Sequence, residues 1–319
     1  VQRRAAQNDL PGTAAVAFIP SMMKPLAVPF LILLCLLCRF VNAGDAAARP
    51  ATPPAPLPFF AMDTALHAAP EETAALLKEL GYAGLGGSGY QIAPLRKALE
   101  AKDLRLCNVY LTVGFDTTKP ALTPEMKQLI DDLKGHDSAL WLAISHVTSA
   151  GAKLPLSSTE GDGTAAAQLK EIAAYAAPRG VKIALYPHTG FWLERCSDAV
   201  RVAEKADHPA IGATFNLCHF LKVEGDTDPL PVIQRALPRL FFVTLNGADA
   251  GDTRAMGWDR LIQTLDRGTW DTTSFLRRLR EAGYKGPVGF QGYGIPGDSR
   301  DNLTRTMTTW KKMTAADSP

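Results

Sequence analysis

The sequence predicts a single-domain (β/α)8 barrel, and three observations carry that expectation. From Pro58 onward, short apolar runs alternate with amphipathic stretches, as repeated βα units of a parallel sheet require. Eight such runs follow one another in one uninterrupted domain, the number a closed barrel needs. Several amphipathic stretches end in a glycine stop that leads at once into the next run, as in Leu80-Gly81-Tyr82, Arg179-Gly180-Val181 and Ala282-Gly283-Tyr284.

The strand signals, in order, are Phe59–Met62, Gly84–Leu85, Leu104–Val113, Ala139–Ser145, Lys182–Tyr186, Gly212–Asn216, Phe241–Leu245 and Val288–Gln291. Gly84–Leu85 is the weakest of them. Between the runs, apolar residues recur at helical spacing, for example Met126, Leu129, Ile130 and Leu133, or Phe275, Leu276 and Leu279. Thr123-Pro124-Glu125 and Ser197-Asp198 read as helix starts. The rival architecture is a doubly wound sheet, whose support is Gly84-Leu85-Gly86-Gly87-Ser88-Gly89. The acidic residue expected on a following second strand is absent from Leu104–Val113, so the glycines read as a tight βα loop.

Upstream of the barrel, Leu31–Cys38 is an unbroken apolar run too short to span a bilayer. Lys24 precedes it and Val41-Asn42-Ala43 follows as a small-residue cleavage site, the tripartite pattern of a secretory signal over residues 22–43. Residues 1–21 lack periodicity and read as a segment upstream of a natural start at Met22 or Met23. A Pro/Ala-rich linker at 44–57 then leads to a domain over 58–315. The expected location is secreted or periplasmic, without stable membrane insertion once the signal is removed. Neither Cys35 nor Cys38 follows a small-residue lipobox, which disfavours a lipid anchor.

Setting aside Arg3, Arg4, Lys24, Arg39 and Asp9 from 34 basic and 32 acidic side chains leaves 30 against 31. That balance, with no dense Lys/Arg run, excludes a nucleic-acid partner. Cys107, Cys196 and Cys218 remain at wide, irregular spacings, so neither a disulfide framework nor a zinc cluster is expected.

A barrel of this kind carries its reactive groups on the loops after the strands. The relevant segments are Lys182–Gly190, Ala213–His219, Phe242–Asp249 and Gly286–Gly294. With the Asn216-x-x-His219 element and the Gly283-Tyr284-Lys285-Gly286-Pro287-Val288 approach to the last strand, they resemble the xylose isomerase-like barrels, over about Phe59 to Trp310. That family includes sugar epimerases, sugar-phosphate isomerases and inosose dehydratases. In its metal-dependent members, a Glu, an Asp, a His and a Glu on strands five to eight hold one divalent ion. The matching positions here are Tyr186, Asn216, Thr244 and Gln291, with Asn246 as the alternative to Thr244. Neutral amides, a hydroxyl and a phenol offer a cation almost no charge, so no cofactor is expected; the alternative is a weakly held manganese, magnesium or zinc ion.

The resemblance implies a sugar isomerase/epimerase acting on a small carbohydrate, with a non-catalytic sugar-binding barrel as the alternative. His188 and His219 are the candidate catalytic residues, each alternatively a strand-end cap. Asp63, His146, Tyr186, Trp192, Asn216, Asn246, Gln291 and Tyr293 are the candidate substrate-binding residues. Trp192, Phe191 and Phe220 could stack on a sugar ring or pack their loops. Asp249, Asp252 and Arg254 lie in a glycine-containing loop that suits a lid or a solvated surface. Asp298, just before the last helix, disfavours an anion there, so an uncharged sugar is expected over a sugar phosphate. Strands four to eight end without a facing carboxylate pair, which argues against glycoside hydrolysis.

Overall fold

A computed structural model describes residues 57–66 and 68–315. The expected signal peptide, the segment upstream of it, the expected linker except Leu57, and His67 lie outside the described residues. Nine strands form one sheet: β1 (Phe59–Met62), β2 (Gly84–Ser88), β3 (Arg105–Asp116), β4 (Ala139–Ser149), β5 (Ala152–Lys153), β6 (Lys182–Leu185), β7 (Ile211–Asn216), β8 (Leu240–Leu245) and β9 (Val288–Phe290). All but β5 are parallel to their neighbours, and the β3–β4 pairing joins the two ends of the series into a closed ring of eight. The expected barrel is therefore present, and its strands start within one residue of the expected positions.

Two differences have physical causes. The glycine-rich segment is a strand that runs to Ser88, not a loop after a two-residue run. At Gly86 a β-carbon would collide with Met62 and Asn108, so the glycine is required by close approach inside the barrel. Strands β3 and β4 also run past the rim, paired as far as Asp116 and Thr148, and β4 turns back antiparallel into the short β5.

The main helices are α1 (Pro70–Leu80), α2 (Ala93–Glu100), α3 (Pro124–Asp132), α4 (Asp162–Ala176), α5 (Cys196–Ala206), α6 (Leu217–Glu224), α7 (Leu230–Ala236), α8 (Trp258–Leu261), α9 (Thr272–Glu281) and α10 (Ser299–Ala315). Thr123 caps α3 by accepting the Met126 N–H. Helix α5 starts at Cys196, one residue before the expected signal, and Asp198 accepts the Arg195 N–H from its third position. Gly81 and Gly180 close their helical segments in the left-handed region, as the stop signals imply. Among the described residues no helix is long and apolar enough to cross a membrane.

Apolar side chains pack in two places. One cluster lies between strands and helices; Leu77, Leu99, Leu129, Leu169, Val202 and Leu276 are among its helix-borne members. The other gathers Phe60, Met62, Trp141, Tyr186 and Phe242 on alternate strand positions inside the ring. There Phe60 meets Phe242 edge-on at 5.9 Å, and Trp141 stacks beneath Tyr186 at 3.8 Å. This aromatic plug fills the barrel and forms the floor of whatever lies above it. Phe60→Ala should cost about 3–5 kcal/mol in urea denaturation, since the fully buried ring leaves a void among rigid neighbours.

Candidate functional site

Above the plug, at the carboxyl ends of the strands, lies a cavity of about 410 Å³. Trp141, Tyr110 and Met62 form its lower wall, and Tyr186, His188, His219 and Gln291 supply polar groups. Thr64 and Ser88 line the β1–β2 side, while Trp258, Ile262 and Tyr293 form the outer rim. The site is a largely aromatic cup with a few convergent polar groups, the usual form of a small-molecule site.

Its polar centre is built by local chain geometry. Asn216 is the last residue of β7 and also the N-cap of α6, so the chain passes from strand to helix in one step. Its Oδ1 accepts the His219 N–H at 3.2 Å, which turns Nδ2 toward Tyr186, whose oxygen it meets at 3.2 Å. That first turn of α6 also places the His219 ring, with Nε2 2.9 Å from the same Tyr186 oxygen. Gln291, one residue beyond β9, donates from Nε2 to Tyr186 at 3.4 Å and accepts from the Thr64 hydroxyl.

The two histidines are held in opposite tautomers. Nδ1 of His219 faces two groups of Thr189, the hydroxyl at 2.9 Å, which can donate or accept, and the backbone N–H at 3.3 Å, which only donates, so both are satisfied together when Nδ1 accepts. Nδ1 of His188 faces the carbonyl oxygen of Thr189 at 3.0 Å, a group that only accepts. A neutral His219 therefore carries its proton on Nε2, and a neutral His188 presents an unprotonated Nε2. Burial favours the neutral form of both rings: it lowers the His188 pKa below the usual 6.5, and with His188 nearby it drives His219 well below that value. Burial, aided by Cys218 and Tyr110, holds the Tyr186 phenol well above its usual 10, against the opposing Gln291 contact. The centre is thus uncharged at neutral pH.

Of the predicted site residues, His188, His219, Tyr186, Gln291 and Tyr293 meet in this cavity. Asn216, 2% exposed, stands behind it and acts through Tyr186 and His219. Asp63 lies at the rim, bonded to Ser88 at 3.0 Å; burial raises its pKa while the Ser88 contact opposes. Its strand β1 is four places around the ring from β6, so Asp63 and His188 flank the mouth from opposite sides.

Three other expected substrate-binding residues do not line this cavity. Trp192 is 1% exposed, with its indole against Gly161, because the chain after His188 folds back on β4 through the Trp192–Ser145 and Leu193–Ile144 backbone bonds. Asn246 is fully buried and donates to the Gly247 and Leu261 carbonyls, holding the loop after β8 instead of facing the cavity. His146 lies against Gly114 on the extended β3–β4 wall, bonded to Ser145, with its pKa lowered by burial and by Lys153 and Lys119. Phe220 is buried against Phe215, whereas Phe191 stacks on His188 at 4.2 Å. The loop bearing Asp249, Asp252 and Arg254 is pinned by a Gly247–Gln263 bridge and an Asp249–Arg260 pair, and it delivers Trp258 and Ile262 to the rim.

The four positions that the resemblance sets against metal ligands do not fit a divalent ion. Thr244 is fully buried and directed at the Phe215 carbonyl, Asn216 turns N–H groups inward, and the Gln291 oxygen is occupied by Thr64. Among the described residues no group of three or more His, Cys, Asp or Glu side chains could hold an ion.

Fold and site together define a parallel barrel with a neutral pocket at its carboxyl-terminal mouth. The chain belongs to the xylose isomerase-like TIM barrel family, whose profile matches residues 74–310. Over 93 residues it is 29% identical to a 3-dehydroshikimate dehydratase from Pseudomonas putida, a stretch covering 28% of this chain and 14% of that protein. Among solved structures it is similar to the IolI protein with a zinc atom, at a TM-score of 0.64 and 12% identity over 82% of this chain and 98% of that one. It is similar to D-allulose 3-epimerase from Methylomonas sp. in complex with D-allulose, at 0.61 and 15% over 81% and 97%. It also resembles the probable 3-DHS dehydratase AsbF from Bacillus anthracis, at 0.63 and 14% over 79% and 98%. At these identities the structural likeness is one of fold.

Asn216→Ala should lower stability by about 1–2 kcal/mol in urea denaturation, since it removes the cap of α6. Asn216→Ser, which keeps a capping oxygen, should recover most of that loss.

Proposed function

We propose that the pocket is an isomerase centre that moves a proton on a small, uncharged carbohydrate bearing a carbonyl group. The observation that carries this reading is His188. Its Nδ1–H is tied to the Thr189 carbonyl, so the neutral ring offers a free Nε2 lone pair, and the ring lines the cavity. With the bound sugar's acidic carbon against it, Nε2 takes the proton, the C–H pair forms a C=C bond, and the carbonyl π pair moves onto oxygen. The hydroxyl proton on the neighbouring oxygen passes to the former carbonyl oxygen within the enediolate, and return of the carbon-bound proton from Nε2 to the former carbonyl carbon completes the exchange of aldehyde and ketone, which one base can do.

The aromatic rim suits a sugar ring: Trp258 and Tyr293 are 38% and 62% exposed at the mouth, and such faces stack on carbohydrate C–H groups. A phosphate is a poorer fit. Asp298 already accepts the Asp301 N–H at the start of α10, where barrels of this kind often bind phosphate. D-Allulose in the related epimerase supports a sugar as the ligand class. The tripartite leader supports a secreted or periplasmic setting for the reaction.

The test is hydrogen exchange. In deuterated water the protein should label D-fructose or D-allulose at the carbon beside the carbonyl, and His188→Gln should slow labelling about 10²–10⁴-fold. Sugar-induced thermal shifts without any labelling would favour the non-catalytic sugar-binding barrel. The acid limb of kcat/KM should report His188. Because burial lowers its pKa, activity should hold through neutral pH and fall only as pH drops below the usual histidine value of 6.5.

A further inference from the structure

We propose that the Tyr186 hydroxyl takes the place of a cation in this pocket, and that its proton binds the carbonyl or enolate oxygen of the ligand. This rests on the reading of the pocket as a proton-transfer centre, and it supplies the electrophile that reading needs.

The argument is an account of hydrogen-bond directions around one oxygen. The Thr189 N–H can only donate to Nδ1 of His219, and the Thr189 hydroxyl beside it can donate to the same lone pair, so the His219 proton is on Nε2, aimed at Tyr186 Oη 2.9 Å away. His219 N–H fills Oδ1 of Asn216, so the Asn216 amide N–H also points at Oη. Gln291 adds a third donor at 3.4 Å. A phenol oxygen accepts two hydrogen bonds and donates one. Its accepting capacity is filled by the two nearest donors, and none of these three partners accepts its own hydrogen. Tyr186 lines the cavity, so that hydrogen is left to the ligand.

The ring is fixed as well as the oxygen. Trp141 stacks on one face at 3.8 Å and Tyr110 meets it edge-on at 5.7 Å. The donor is therefore held in place before a ligand arrives, and a preorganised donor in a dry site stabilises charge that develops on oxygen. Asn216 and Gln291, at two of the positions that the family resemblance sets against metal ligands, converge on the hydroxyl of Tyr186, which stands at a third. When His188 removes the carbon-bound proton, the charge arriving on the ligand oxygen is met by the Tyr186 O–H. The tyrosine keeps its proton throughout, so no further reactant is required.

The probe is glycolohydroxamate, a planar mimic of an enediolate, titrated calorimetrically into the mature protein in excess EDTA. Binding is expected in EDTA, with a red-shifted tyrosine difference spectrum in the unaltered protein. Tyr186→Phe, which keeps the stacked ring, should weaken binding at least about tenfold. Equal affinity in Tyr186→Phe, binding that appears only after manganese is added, or no binding in either condition would overturn the inference. Hydroxamate binding that depends on Tyr186, without deuterium labelling of the sugars, leaves the donor standing and sinks the isomerase reading instead.

Discussion

A backbone N–H group can only donate a hydrogen bond, and two of them, on Thr189 and His219, set the direction of the contacts that His219 and Asn216 make with Tyr186 at the barrel mouth. The first fixes the His219 tautomer, and the second fixes which end of the Asn216 amide faces inward. Leaving either buried side chain mismatched with its backbone partner costs about 1–3 kcal/mol, enough to hold one arrangement over its reverse. Both N–H groups are placed by secondary structure, one at the start of α6 and one in the turn after β6. The chemistry of the pocket is therefore written into a helix cap and a turn.

Below these contacts, the aromatic plug serves two ends. Phe60, Trp141 and Phe242 fill the ring and stabilise the fold, while the face of Trp141 sets the height and tilt of Tyr186. The indole N–H is itself satisfied by Thr214, which donates onward to the Leu185 carbonyl, so the floor contains a complete polar chain. The polar groups around Tyr186 are neutral side chains held by mutual hydrogen bonds. Their means of stabilising negative charge are oriented dipoles.

The fold was legible because apolar runs and glycine stops carry it, and both are local. His188, His219, Tyr186, Gln291 and Tyr293 were legible because they follow strand ends directly. Tyr110 and Trp141 were not: β4 is apolar on both faces through Ile144, so no alternation marks Trp141 as inward, and in β3 Tyr110 shares its face with Asn108 and Thr112, which alternation assigns to solvent. Trp258 and Ile262 arrive from a long loop whose path depends on the Gly247–Gln263 bridge, a contact across chain that no period reveals. Trp192 and Asn246 misled for the same reason in reverse. Each follows a strand end, yet the loop turns its side chain into the protein, Asn246 onto the Gly247 and Leu261 carbonyls and Trp192 against Gly161.

The central claim is that His219 donates to Tyr186 while His188 keeps its inner nitrogen free. Nitrogen-15 NMR of histidine-labelled protein at neutral pH reads both tautomers directly through the ring nitrogen shifts and their couplings. The account predicts an Nε2–H form for His219 and an Nδ1–H form for His188. An Nδ1–H form at His219 would make Tyr186 a donor to the protein, and the hydroxyl would then have no proton to offer a ligand.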